Sequence, residues 1–130
     1  MAIGRQLALQ VVHTLRATIR FSDGASGVLT VGTLPVGALV IGGNVSVLTA
    51  FNAGTNNNIT VGTAGVPASY QPATAMATIG HKAFTGLATS ADLMNATAEV
   101  PVIATLGLTG TAATTGVAIV VVSYVVNNDK

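Results

Sequence analysis

Leu15-Arg16-Ala17-Thr18-Ile19-Arg20-Phe21 and the six residues behind it, Ser22-Asp23-Gly24-Ala25-Ser26-Gly27, carry two signals that belong together. The first segment alternates with a period of two, which puts Leu15, Ala17, Ile19 and Phe21 on one face and Arg16, Thr18 and Arg20 on the other. The second consists of residues that reverse a chain, because glycine opens backbone angles closed to other residues and Asp or Ser side chains bond to nearby backbone. Upstream, Leu7, Leu9, Val11 and His13 keep the same phase, yet Leu7, Val11, Leu15 and Ile19 also fit a helical spacing. Residues 1–14 therefore read either as an N-terminal arm or as part of the first strand. From Leu15 onward the β-branched and aromatic content and the turn decide for strand.

Moving outward, a second strand is expected over 28–33. It runs into Leu34-Pro35-Val36-Gly37, where proline fixes one angle and glycine frees the next. A long strand over 38–51 carries Gly42-Gly43 in its interior, the mark of a bulge or bend. Residues 52–58, Asn52-Ala53-Gly54-Thr55-Asn56-Asn57-Asn58, read as a polar loop before a short strand at 59–62. Between 63 and 98 the period fades, punctuated by Gly65, Pro67, Pro72, Gly80 and Gly86. A short strand is expected there around 75–79, and a helical turn where Ser90 caps Ala91-Asp92-Leu93-Met94. Two clear strands, 100–108 and 117–126, close the sequence. Thr-Val-Gly-Thr at 30–33 and again at 60–63 marks the same event twice, a strand running out into a turn.

Many strands with Gly-rich turns and almost no helical period define an all-β chain, and a jelly-roll-like β-sandwich with long Gly/Thr/Ala-rich connections is expected as one domain over 15–130. In the last strand both phases are apolar, with Val120, Val122, Tyr124 and Val126 on one and Ile119, Val121, Ser123 and Val125 on the other. That suits a strand buried between sheets or beneath a neighbouring subunit.

Composition narrows the function. Half of the 130 residues are hydrophobic but 4% are aromatic, and 7% are charged against roughly 25% in an ordinary soluble domain. So few charges leave a surface poorly protected against association, which reads as a surface meant to be covered. Five basic and four acidic residues give a net charge of +1, so no field draws in nucleic acid. Arg16 and Arg20 form a local basic pair without interleaved aromatics and read as solvated positions on one strand face. The longest apolar run, 117–126, is interrupted by Ser123 and is about half of what a membrane-spanning helix needs. Without cysteine there is no disulfide framework and no thiolate metal site.

Catalysis finds no constellation. His13 falls on the apolar phase of its strand and reads as a histidine satisfied beside the core, while His81, next to Lys82, reads as an exposed loop residue. The carboxylates Asp23, Asp92, Glu99 and Asp129 are scattered over turns, a helix start and the tail. The glycines of 32–37 have the spacing of a phosphate loop but lack the lysine and hydroxyl that hold terminal phosphates. No catalytic residue, metal ligand or cofactor is expected, and no enzyme activity.

Four segments carry a resemblance. They are 15–21, then Thr30-Val31-Gly32-Thr33-Leu34-Pro35-Val36-Gly37-Ala38-Leu39-Val40-Ile41, then 51–63, and the close Leu108-Thr109-Gly110-Thr111-Ala112-Ala113-Thr114-Thr115-Gly116 with the strand ending Tyr124-Val125-Val126. Together these resemble small structural proteins encoded beside capsid genes in tailed bacteriophages and prophages, the capsid cement or decoration proteins. The motifs are turn and strand chemistry and transfer no functional residue, and 72–99 matches none of them.

The resemblance implies a sandwich on the outer surface of a virion, assembled in the host cytoplasm. It would be clamped between subunits of the major capsid protein, as a dimer or trimer of itself. A tail, fibre or baseplate subunit would share this composition. A ligand- or carbohydrate-binding sandwich is the reading from another class, which five scattered aromatic rings serve poorly. The candidate interface residues are Ile3, Leu7 and Leu9, which would fill shallow apolar grooves on a neighbour, and Arg5 and Gln6, which offer donors. The competing reading is that residues 7–10 extend the first strand of the chain's own sheet.

Overall fold

The alternating stretch at 15–21 becomes the body of the first strand in the computed structural model, which describes residues 11–23, 27–86 and 98–126. Strand β1 spans His13–Arg20 and stops in a 3-10 turn, Phe21–Asp23, where the Asp23 carboxylate accepts a hydrogen bond of 2.7 Å from the Arg20 backbone N–H. The others are β2 (Val28–Leu34), β3 (Leu39–Thr49), β4 (Asn56–Thr63), β5 (Gln71–Ala75), β6 (Gly80–Ala83), β7 (Val100–Thr109) and β8 (Val117–Val125). No helix among the described residues is long and apolar enough to cross a membrane.

Pairing explains the architecture. β1 pairs with β8, β2 with β7, β3 with β6 and β4 with β5, all antiparallel, so the chain is a nested ribbon closed at the β4–β5 end. Rolling that ribbon brings β8 against β3 and β7 against β4, which completes two four-stranded sheets. Sheet A has the order β1-β8-β3-β6 and sheet B the order β2-β7-β4-β5. This is a jelly-roll sandwich, as the turn-rich strand pattern predicts.

The core lies between the sheets. Ile19 faces Ala118 and Val45 faces Val120 across sheet A, while Ile59 faces Leu106 and Val61 faces Ala104 across sheet B, all fully or almost fully buried. Burying an aliphatic side chain of this size stabilises the fold by roughly 1.5–3 kcal/mol. Phe51, Tyr70 and Phe84 are buried among them, and the Tyr70 and Phe84 rings meet at 6.2 Å. These aromatics anchor packing, as their scatter in the sequence implies.

Several boundaries differ from the sequence reading. Residues 56–58 belong to β4 and not to a loop, because Asn56, Asn57 and Asn58 stand in register with Thr109, Leu108 and Gly107. Asparagine disfavours strands by bonding to nearby backbone, and here Asn57 bonds to the backbone of Ala53 without leaving the ladder. Its Oδ1 accepts from Ala53 N at 2.7 Å and its Nδ2 donates to Ala53 O at 3.0 Å.

The strand expected at 75–79 is also displaced. β5 ends at Ala75, and the next four residues carry the chain over to β6 in the other sheet. Met76 plugs that crossing fully buried, donating to Asn57 O and accepting from Phe51 N. Pro72, which speaks against a strand, is tolerated because β5 is an edge strand with one side free of ladder bonds. The helical turn expected at 90–94 and the arm over 1–10 lie outside the described residues.

The bulge expected near Gly42-Gly43 is present. The β3–β8 register shifts between Val40 and Gly42, and again between Val47 and Thr49. The two Thr-Val-Gly-Thr segments both fall at the ends of sheet B strands, β2 and β4. In each the glycine makes room for something crossing it, the Leu15 side chain at Gly32 and the Val66–Pro67 backbone at Gly62.

Candidate interaction surface

An antiparallel sheet packed on one face turns the other to solvent, and its outward residues are ordinarily polar. On sheet A they are not. The outward phase of the central strand β8 is Val117, Ile119, Val121, Ser123 and Val125, all half-buried, while Ala118, Val120 and Val122 point into the core. The double apolar phase of this strand thus resolves into one core face and one outer face.

β3 adds to the outer stripe. Leu39 stands opposite Val125 and is 40% exposed. Ile41 and Leu48 are the extra residues at the two register shifts, and they are 49% and 52% exposed. A bulge places two successive residues against one partner, so each shift here spends its additional position on an outward aliphatic side chain.

Charge borders the stripe on the β1 flank. On β1, Arg16 lies opposite Val121 and Arg20 opposite Val117, both exposed. Thr14 and Thr18 fill the same outward phase, so the basic pair does occupy one solvated strand face, as its spacing predicts. On the far edge strand β6, His81 stands opposite Ser46 on the outward phase, while Lys82 stands opposite the buried Val45 on the core-side phase. The four strands of sheet A contain no acidic residue, and those of sheet B no charged residue of either sign.

The outer face of sheet B has a different chemistry. Across it run the rows Val28–Thr105–Thr60 and Thr30–Ile103–Gly62, followed by Gly107 opposite Asn58. Threonine dominates, and the cross-strand Thr60–Thr105 pair combines β-branched packing with hydroxyls that water can reach. Val28 is its one strongly exposed large aliphatic residue among those described.

The groups considered for catalysis are not drawn together. His13 is exposed at the start of β1 and stacks on Tyr124 with ring centroids 5.5 Å apart. His81 sits on strand β6 and not in a loop. Register places it opposite Ser46, and its Nδ1 is 2.7 Å from the Ser46 hydroxyl. Among the described residues no carboxylate orients this imidazole, and the pair lies on a sheet face, so the contact satisfies a buried hydroxyl. No group of three or more His, Asp or Glu side chains among the described residues could hold a metal ion.

A depression of about 170 Å³ at one end of the sandwich, lined by Phe21, Ala53, Leu108 and Ala113 with Gly110 and Thr111, carries no titratable side chain. Beside it Asn52 clamps the β7–β8 loop. Its Oδ1 accepts from the N–H groups of Thr114 and Thr115 at 2.8 and 3.0 Å, and its Nδ2 donates to the Thr114 hydroxyl at 2.9 Å.

The interface residues named from sequence, Ile3, Arg5, Gln6, Leu7 and Leu9, lie outside the described residues. Sequence reading passed over Leu39, Ile41 and Leu48, because two register shifts in one strand scramble its period of two. The glycine pair announces the first shift; adjacent Val47-Leu48 is the faint trace of the second.

No protein-family model matches the sequence, and no curated relative aligns with it. Solved structures do match. A chain in the capsid asymmetric unit of cyanophage Pam1 superposes with a TM-score of 0.66 at 22% identity, over 90% of this chain and 86% of that one. A chain in the acid-stable capsid of Helicobacter pylori bacteriophage KHP30 gives 0.66 at 20% identity, over 89% and 88%. One in the capsid of Ralstonia phage GP4 gives 0.66 at 17% identity, over 92% and 84%. At such identities the likeness establishes a shared fold, an all-β sandwich found in chains of three phage capsids.

Proposed function

We propose that this chain is a structural protein of a tailed-phage head, a cement or decoration protein seated on the outside of the shell and stabilising contacts between major capsid subunits. The observation that carries the reading is the extent of the structural match, 84–88% of each neighbour's chain in three separate capsids. The neighbours are thus little more than the same sandwich, the size expected of an accessory subunit. The scarcity of charge and the apolar outer face of sheet A support a chain that works covered by others.

In this reading the N-terminal residues Ile3, Arg5, Gln6, Leu7 and Leu9 reach a neighbouring subunit. Val11 and Val12, exposed and outside β1, favour that over a continuous extension of the strand. Self-association as a dimer or trimer belongs to the same proposal. The test is to locate the chain in cryo-electron micrographs of the source particles and to add purified chain to shells assembled without it. Saturable binding with a raised shell melting temperature is expected. Density on the tail or baseplate would reject the shell assignment.

A further inference from the structure

Resting on the head-protein reading, we infer that the outer face of sheet A docks on a protein other than a second copy of this chain. The docking partner presents an apolar ridge bordered by carboxylates. Three observations converge on that occupant. Ile119 and Val121 on β8, with Ile41 and Leu48 at the β3 bulges, form an aliphatic stripe on the side where a solvated sheet would place polar groups. Two bulges in one strand each adding an aliphatic residue to that side is a costly way to build a face that stays wet.

The border then selects the partner. Arg16 and Arg20 flank the stripe along β1, both exposed on its outward phase. Neither arginine makes an ion pair among the described residues, and the nearby Asp23 carboxylate accepts from the Arg20 backbone N–H. A cation whose charge has no partner among the described residues complements an acidic rim across an interface.

A second copy is disfavoured by the same inventory. Two-fold pairing through this face about an axis across the strands sets arginine against arginine, and about an axis along the strands it sets the arginines against β6, which carries no carboxylate. Sheet B offers no alternative complement, since its strands carry no carboxylate. The opposing surface, aliphatic at its centre and acidic at its rim, therefore belongs to another polypeptide of the shell.

The experiment adds purified wild-type chain and three variants to shells assembled without it, over a series of salt concentrations. Arg16→Glu with Arg20→Glu is expected to weaken binding about a hundredfold at low salt and to reverse its salt dependence, because like charge would then face the acidic rim and salt would screen the repulsion. Ile119→Asp is expected to weaken it at every salt concentration; if its melting temperature drops, Ile119→Ser replaces it. Thr60→Glu with Thr105→Glu, on sheet B, is expected to bind as wild type.

Full-strength binding by both sheet A variants while wild type binds would overturn this inference and leave the head-protein reading intact. Loss of binding by the sheet B variant alone would do the same. So would sedimentation showing that Ile119→Asp dissociates a wild-type dimer while shell binding persists, since the occupant would then be a second copy. Wild-type chain that leaves the shells bare overturns the head-protein reading and this surface with it.

Discussion

The two outer faces of the sandwich share one backbone plan and diverge in chemistry. Sheet B obeys the rule for a sheet with one wet face, with Thr30, Thr60 and Thr105 outward and no charge in any strand. Sheet A breaks the rule along β8 and β3, and all charged residues of the strands are gathered there, every one of them cationic. A sandwich of this size needs both sheets for its core, so packing gives no reason for the outer faces to differ. The difference teaches that surface chemistry here is assigned face by face. Four strands at about 4.8 Å spacing and a strand length of about 30 Å give each face roughly 550 Å², short of the roughly 800 Å² per partner of a standard interface. A face of that area would hold firmly when assisted by a second contact, which the N-terminal residues are proposed to supply.

The sharpest way to test the contrast uses two adjacent residues of β8. Val120→Asp buries an unpaired carboxylate in a fully enclosed site and is expected to abolish folding, read as loss of the cooperative thermal transition. Val121→Asp, one residue on and turned outward, is expected to fold with a melting temperature within several degrees of wild type and to lose shell binding. If both variants unfold alike, the outer face of β8 is structural and the contrast between the sheets fails.

A smaller effect separates neighbouring glycines of β3. A Cβ at Gly43 would collide with the Phe84 ring and stand 2.5 Å from the Val121 carbonyl oxygen, so Gly43→Ala is expected to cost about 1–3 kcal/mol in denaturant unfolding. At Gly42, on the outward side, nothing lies within 4 Å of that position, and Gly42→Ala is expected to be neutral or stabilising by up to about 1 kcal/mol. Equal losses at both would show that the bulge does not turn Gly42 outward.

Asn52→Ala removes three hydrogen bonds to the β7–β8 loop and is expected to cost about 1 kcal/mol, since those groups are exposed and water replaces part of what is lost. The smallest effect belongs to sheet B. Thr60→Val is expected to change stability by less than about 0.5 kcal/mol and to leave shell binding untouched. A binding defect there would move the docking surface to the other sheet.

Much of the fold was legible where local chemistry and tertiary pairing agree. The alternation at 15–21 and the twin apolar phases of 117–126 needed only a count of period, and both strands stand where that count puts them. Asn56 to Asn58 and Met76 were misread because their state is fixed by partners distant in sequence. β7 supplies the ladder that overrides asparagine's turn preference, and Asn57 and Phe51 hold Met76 between sheets.

The surface was half legible. Arg16 and Arg20 were visible as one solvated face, and the double phase of β8 already suggested a covering neighbour. Ile41 and Leu48 stayed hidden, because an extra residue in a strand changes which face a side chain takes and leaves only a weak trace in composition. His81 was assigned to a loop for lack of period in a four-residue strand too short to show one.

The nested pairing of the strands also sets an order of events during synthesis. β8 follows every other described strand in the sequence and lies between β1 and β3, so sheet A cannot close until it has emerged. At roughly 5–20 residues per second, β1 waits on the order of 5–20 s for its partner, while the β4–β5 end of the ribbon has long been complete. The aliphatic stripe and its arginine border come into register at that moment, as parts of one finished sheet. An unfinished chain therefore lacks the proposed docking face, which exists only once translation has passed residue 125.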